Sequence, residues 1–412
     1  MLLLLLLSVT LSVNNASAFF VPQSRVLYRY EKAGSRRLHA AQTVIIGKII
    51  LDKYGPPDRQ TDDDDDGAVT IGGGGPQAAW GAAASLAVRE YMSHAAEKEV
   101  IDFDLTLSNL KHQITFLAPI GTKNWTPTMT EQLSQLLPPL INVVLVPSAD
   151  HITPTINIWH DENENVRWMP VNGSFDSIGA DGLWQNRPSA QDILNAIQDN
   201  EGEHNDIILH AIIESSIQPA GQGLDALPFF DDKLMSRVST AGVEPIVFAD
   251  DVSGKVSSED SNAVNAKMRK IQQSFACARG THGNSLFVVT PDRPCYEGMI
   301  SYTNLNDCEM SANNDDYEMI IRDGGNGCFT NEMKMPAATL RTVDKAPVNP
   351  TGAGNAFSAA YVVCRGTGSS IKQAASIATA VGAVVCEYEH LPPWSLEVIQ
   401  RIAEAVSEVQ QR

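Results

Sequence analysis

The sequence predicts an α/β fold organised on a parallel sheet, and three observations point there. Apolar, β-branched runs of strand length recur at residues 43–52, 114–121, 140–146, 207–213 and 245–249. Such runs lack the alternation of a half-exposed strand and suit strands buried on both faces, as in parallel sheets. Alanine-rich, helix-like stretches follow glycine runs at 71–84 and 349–365, and another spans 372–387. Finally, about 370 residues remain after an unusual N-terminal segment, enough for one large α/β domain with an appended lid.

That segment opens the chain. Leu2 to Leu7, extended to Leu11 and Val13, is followed by Asn14-Asn-Ala-Ser-Ala18. A run this short with a small-residue end is a signal-peptide core and cleavage site, too short for a membrane span. The next stretch carries Arg25, Arg29, Lys32, Arg36 and Arg37 against one acid, Glu31, a transit-peptide composition. Ala16-Ser-Ala-Phe19 resembles the cleavage motif of bipartite presequences that reach secondary (algal) plastids. Residues 1–42 are therefore expected to be a bipartite plastid-targeting presequence delivering the chain to the stroma; ordinary secretion is the alternative. The six cysteines, 277, 295, 308, 328, 364 and 386, have no close-paired spacing and read as free thiols of a reducing compartment.

The formal charge is −19, yet residues 1–40 carry five basic groups and one acid, so the remainder carries −23. An acidic body disfavours nucleic acid or an anionic membrane as partner of the mature form. Five consecutive aspartates between Thr61 and Gly67 read as a solvated, self-repelling loop. Segments 172–206 and 253–284 are polar and read as surface insertions. Residues 155–159 and 166–169, separated by Asp161-Glu-Asn-Glu-Asn165, read as a hairpin. Trp159 and Trp168 on it would cover a ligand, pack a sheet face or form a dimer contact.

Two glycine turns carry the chemistry. In Asn349-Pro-Thr-Gly-Ala-Gly-Asn-Ala-Phe357, Pro350 fixes one φ while Gly352 and Gly354 permit left-handed or closely approached backbone. Such a turn opening a helix leaves the N–H groups of residues 352–355 pointing one way with the helix dipole behind them, an anion hole suited to phosphate. Ile71-Gly-Gly-Gly-Gly-Pro-Gln77 enters a second alanine-rich helix in the same manner.

The first of these turns resembles the C-terminal signature of the ribokinase-like (pfkB) carbohydrate kinases, Asp-x-Thr-Gly-Ala-Gly-Asp-x-Phe, with Asn349 and Asn355 where that family has aspartates. The second resembles its N-terminal signature, Gly-Gly-x-Gly-x-Asn-x-Ala, matched at Gly72, Gly73 and Gly75 with Gln77 in place of Asn. Gly47 and Asp52 match the family's opening strand, and Gly324 and Gly327 match its Thr-x-Gly-x-x-Gly element, with Arg322 in place of Thr. The order of these motifs over residues 43–400 resembles the family throughout. The resemblance implies a doubly wound, mostly parallel sheet flanked by helices with a small β lid, from about residues 50–71 and 152–170. It implies ATP and Mg²⁺, with K⁺ beside the anion hole, and a sugar or nucleoside as the small-molecule partner. It places Asp52, Gly72, Gly73 and Gln77 at the substrate, Arg322, Gly324, Gly327 and Thr379 at the nucleotide, and Gly352, Ala353, Gly354 and Asn355 at the transferred phosphate. Asn349 falls at the family's monovalent-cation position, and the lid hairpin implies a homodimer contact. The family's magnesium-organising Asn-x-x-Glu is absent after Thr290; Asp292 and Glu297 are its nearest replacements.

An amide is not basic near neutral pH, so Asn355 cannot take the proton of an attacking hydroxyl. Two readings therefore stand: a divergent small-molecule kinase with impaired base catalysis, and a catalytically inactive kinase-fold plastid protein acting by ligand or protein binding. A nicotinamide oxidoreductase is disfavoured, because Gly47-Lys-Ile-Ile-Leu-Asp52 stands where its Gly-x-Gly-x-x-Gly should follow the first strand.

Overall fold

The structure, a computed structural model, describes residues 42–54, 69–97, 114–149, 151–160, 166–170, 188–198, 206–212, 237, 244–250, 286–294, 296–297, 317–330 and 333–412. Of the expected presequence only Gln42 is described, and the aspartate run, the 253–284 segment and Cys277, Cys295 and Cys308 lie outside these residues, as do the side chains of Trp159 and Trp168.

The core strands are β1 (Gln42–Gly47), β4 (Ile114–Gly121), β5 (Ile141–Ser148), β8 (Asp206–Ile212), β9 (Glu244–Asp250), β10 (Leu286–Val289) and β11 (Tyr317–Met319). They form one sheet in the order β11-β10-β9-β8-β1-β4-β5, parallel at every pairing. The chain builds outward from β1 to β5, then returns to β8 on the other side and continues to β11. That reversal between β1 and β8 is a topological switch point, and ligands of doubly wound sheets lie beyond the carboxyl ends of the strands there. The second sheet pairs β2 (Ile50–Tyr54) with β3 (Val69–Gly72) and β6 (Thr155–His160), and β6 with β7 (Val166–Pro170). A small antiparallel sheet joins β12 (Ile321–Arg322), β13 (Cys328–Phe329) and β14 (Lys334–Met335).

The first strand departs from its sequence expectation. The apolar run 43–52 is two strands in different sheets, because the backbone turns at Lys48 and Ile49; the Lys48 carbonyl accepts from the Gly75 N–H at 3.0 Å. Asp52 therefore sits within β2 of the second sheet and does not end the central strand.

The helices are α1 (Gly74–Glu97), α2 (Pro127–Leu136), α3 (Ala190–Gln198), α4 (Ala353–Gly366), α5 (Ile371–Val385) and α6 (Leu396–Gln411). On β4, Ile114, Phe116, Ala118 and Ile120 share a face, as the period of two requires, and join Ile45, Ile208 and the helices α1, α4, α5 and α6 in one core cluster. Val44, Ile46, Leu117 and Leu209 are buried outside that cluster, on the opposite face. There α3 packs on β1 and β4, its Ile193, Leu194 and Ile197 are buried, and its Ala196 carbonyl accepts from the Gln42 side chain at 3.2 Å. Residues 190–198 are thus an amphipathic helix of the core, not part of a surface insertion. Three apolar side chains on one helical face suffice, whatever the polarity around them.

Between α1, α5 and the strands β8 and β9, α4 is buried on all sides from Ala356 to Arg365. Its far end is pinned electrostatically. Glu318 of β11 accepts from the Tyr361 hydroxyl at 2.5 Å and from Arg365 Nε and Nη2 at 2.8 Å each, while Arg365 Nη1 bonds the Ser369 carbonyl. At its other end, Thr290 after β10 donates to Ser358 at 2.8 Å. Cys328 and Cys364 are buried and Cys386 half-buried, all three free thiols. Burial pushes Cys328 and Cys386 up to about 11 and raises Cys364, so they are poor thiolates.

This packing has two measurable consequences. Glu318→Leu strands the buried Arg365 guanidinium and should cost about 3 kcal/mol in denaturant unfolding, whereas adding Arg365→Met should recover more than half; a double variant no more stable than the single would show that the ion pair does not pin the helix. The second concerns His210 in β8, which is fully buried with a pKa lowered to about 3 by burial first and the Arg322 charge second. The unfolded imidazole titrates near 6.5, so the unfolded chain binds the extra proton between these values and stability falls as pH falls through that window. From pH 7 to pH 5 the wild-type chain should lose about 2 kcal/mol more than His210→Phe. Parallel pH curves for the two proteins would contradict this.

Candidate functional site

The site is built on the first turn of α4. Gly352 precedes it in the left-handed region at φ 85°, where a side chain would be strained and would also collide with the Gln77 amide. The Ala353 N–H bonds the Pro350 carbonyl at 3.3 Å, and the helical ladder starts with Ala356 N–H to Gly352 carbonyl at 3.0 Å. The N–H groups of Gly354 and Asn355 lie ahead of that ladder and have no helical carbonyl to meet, so the turn has the geometry of an anion hole. Asn349 holds the approach to it: its Oδ1 accepts from the Thr351 N–H at 2.9 Å and its Nδ2 donates to the Glu389 carbonyl at 2.7 Å. Both halves of that amide are used in shaping the turn.

The structure brings four of the sequence-predicted residues to this turn. Asn355 Nδ2 donates to Gln77 Oε1 at 2.9 Å, so two of the positions where the chain departs from the signatures touch each other. Gln77 stands one turn into α1, and the helices approach closely enough there that a Cβ on Gly81 would collide with the Ala356 backbone. On the other side, a Cβ on Gly354 would collide with Arg322 Nη1, which sets the guanidinium against the helix opening. Arg322 ends β12 and is held by its own N–H to the Pro291 carbonyl at 2.9 Å.

Asp52 and the first glycine turn form the adjoining group. The Asp52 carboxylate lies against Gly72, leaving no room for a side chain there, and Gly73 at φ 94° packs on the Lys48 carbonyl and the Ile50 N–H. Gly72 and Gly73 lead directly into α1, so about one helical turn separates this carboxylate-bearing wall from Gln77. Gly327, Gly324 and Thr379 make a third group. Gly327 at φ 97° admits no Cβ because the Met335 carbonyl is in the way, whereas Gly324 at φ 52° faces open space. Thr379 of α5 is buried and shares a 3.4 Å contact with the Cys328 thiol. One turn further along α5, Gly382 packs on Ala353, so this group flanks the same helix opening. Glu297 forms a 2.7 Å ion pair with Arg293, which also pairs with Asp323.

Sequence reasoning missed His210. It lies on the face of β8 that also carries Ile208 of the α4-side cluster, near enough to Arg322 for that charge to depress its pKa. Among the described residues neither ring nitrogen has a hydrogen-bond partner. The available signal was a single polar residue inside the apolar run Ile207-Ile-Leu-His-Ala-Ile212.

Residues 304–392 match the sequence profile described as pfkB family carbohydrate kinase. Among curated proteins none matches the chain. Solved structures do match in fold. A candidate ribokinase II of E. coli in its apo form superposes with a TM-score of 0.54 at 14% identity, covering 90% of this chain and 100% of the other. A nucleoside kinase of Methanocaldococcus jannaschii gives 0.50 at 14% identity, covering 89% and 99%. Phosphofructokinase-2 of Escherichia coli in complex with potassium gives 0.50 at 14% identity, with the same coverage. The chain has the ribokinase-like fold, and its residues 304–392 carry the sequence pattern of the pfkB family carbohydrate kinases.

Proposed function

We propose that this protein is an ATP-dependent small-molecule kinase that transfers a phosphoryl group to a hydroxyl of a sugar or nucleoside with impaired base catalysis. The observation that carries the reading is the convergence on the first turn of α4: amides of Gly354 and Asn355, the Arg322 guanidinium beside Gly354, and Gln77 joining that turn to the Asp52 wall. This donor set is chemically matched to a phosphate, which only accepts hydrogen bonds. ATP–Mg²⁺, when bound, supplies the phosphoryl group and its charge-neutralising ion; the candidate ribokinase II of E. coli has been solved in complex with both. In this reading Asp52 accepts hydrogen bonds from acceptor hydroxyls, and the glycines beside it allow close approach. Asn355 would position the attacking hydroxyl without taking its proton. Transfer then relies on orientation and charge stabilisation and lacks the general-base factor of roughly 10²–10⁴.

The 2.9 Å Asn355–Gln77 bond specifically favours a second reading, in which the fold binds ligand without turnover, because this amide pair occupies the position of the missing base. Asn355→Asp separates the two. Its new carboxylate would face Gln77, whose amide can turn to offer Nε2. The full-length chain should then phosphorylate a member of a sugar and nucleoside panel about 10²-fold faster than the wild type, with ATP affinity little changed. Turnover at background in both proteins, alongside measurable ATP binding, would leave the binding reading in possession.

Residues 1–42 are part of the proposal as a plastid-targeting presequence, supported by the apolar run, Ala18-Phe19 and the basic stretch after it. A reporter carrying residues 1–45 should enter the stroma of an alga with a secondary plastid, and Phe19→Ala should leave it outside. Import indifferent to that change would count against the motif.

A further inference from the structure

We infer that the approach to the first turn of α4 is fastened by the Asn349 amide in place of a monovalent cation, so that ligand binding and turnover at this site are indifferent to K⁺. The inference rests on the nucleotide reading above and adds how that site is regulated. A monovalent cation is what the family resemblance implies at position 349, and phosphofructokinase-2 of Escherichia coli has been solved in complex with potassium. The donor set of this chain does not fit one. An ion held by protein oxygens needs lone pairs that converge on one point. Asn349 brings no charge; its Oδ1 is engaged by the Thr351 N–H at 2.9 Å, and its Nδ2 donates to the Glu389 carbonyl at 2.7 Å. The amide thus presents N–H, and not oxygen, to the carbonyl with which it would have to share an ion.

The orientation of that amide follows from its neighbours. Turned over, it would set Nδ2 against the Thr351 N–H and Oδ1 against the Glu389 carbonyl, two repulsive contacts in place of two bonds. Room for an ion would require Asn349 to leave both partners. The same two segments are joined a second time, by the Val348 N–H on the Cys386 carbonyl at 2.8 Å. Residues 386–389 are in turn anchored through Glu387, whose carboxylate accepts from the buried Arg401 at 2.6 Å and from the Arg341 N–H at 2.9 Å. Direct hydrogen bonds therefore join chain segments 40 positions apart, the connection a bridging ion would otherwise make. An aspartate at 349 would bring two acceptors together at the Glu389 carbonyl, and a cation between them would then be required.

Thermal unfolding and ATP–Mg²⁺ calorimetry on the full-length chain, in KCl and in tetramethylammonium chloride at equal ionic strength, test this. The wild type should unfold within about 1 °C and bind ATP within about twofold in the two salts. Asn349→Ala, which removes both bonds, should lower the midpoint by about 2–4 °C, equally in the two salts. Asn349→Asp should acquire a cation requirement, with a midpoint at least about 3 °C higher and ATP binding at least about fivefold tighter in KCl. A wild type stabilised by KCl by about 3 °C or more, or binding ATP about tenfold tighter in it, overturns the inference. So does an Asn349→Asp variant indifferent to the salt. Should that variant not fold, Asn349→Ala decides in its place: a loss equal in both salts supports the inference, and no loss, or one made good by KCl, overturns it. Absence of ATP binding in both salts overturns the nucleotide reading, and the unfolding midpoints then decide this inference by themselves.

Discussion

The close approach of α1 and α4 is the constraint on which the site depends. Gly81 meets the Ala356 backbone with no space for a Cβ between them. One turn back along each helix, Gln77 meets Gly352 and Asn355. The two contacts share a face of each helix because residues four apart align. A wider crossing would separate the amide pair and open a gap behind the first turn of α4. The small residues of these two helices are therefore spacers as much as core, and they hold positions far apart in sequence at hydrogen-bonding distance.

Much of the architecture was legible because it rests on local rules. Long apolar runs without alternation gave the parallel strands, and the left-handed φ at Gly352 is what Pro-Thr-Gly-Ala-Gly foretells. The break at Lys48-Ile49 was not legible, since neither residue punctuates a strand and Ile49 is buried on either interpretation. The helix 190–198 hid in a polar stretch for the opposite reason: only its inward face is apolar. In the site, each residue type was readable but not its neighbour. Nothing local says that Gln77 and Asn355, separated by 278 positions, bond each other, or that Arg322 stands at Gly354 rather than farther along a nucleotide. His210 had a signal, a lone imidazole in an apolar strand, whose meaning needed the position of Arg322.

The departures from the family signatures are also not independent substitutions. Gln77 supplies the acceptor for the Asn355 amide, and its side chain covers the left-handed Gly352. Asn349 uses its donor and its acceptor on different chain segments, and an aspartate there would face the Glu389 carbonyl with a charge and no proton. At 349 the amide is satisfied in a way that a carboxylate would not be, whereas at 355 a carboxylate would require the Gln77 amide to turn.

The amides at 349 and 355 have a consequence at long range. The chain carries a formal charge of −19, so a polyphosphate diffusing toward it meets net repulsion before it meets the site. Two further carboxylates at the mouth would deepen that barrier where it is narrowest. With amides there, the Arg322 guanidinium stands beside Gly354 without two added carboxylates facing the helix opening. Added salt shortens the Debye length to about 10 Å at 0.1 M and screens the distant acidic surface more than the local attraction. If the turn takes an anion as proposed, moderate ionic strength assists its capture, the reverse of the usual behaviour of a basic phosphate-binding surface.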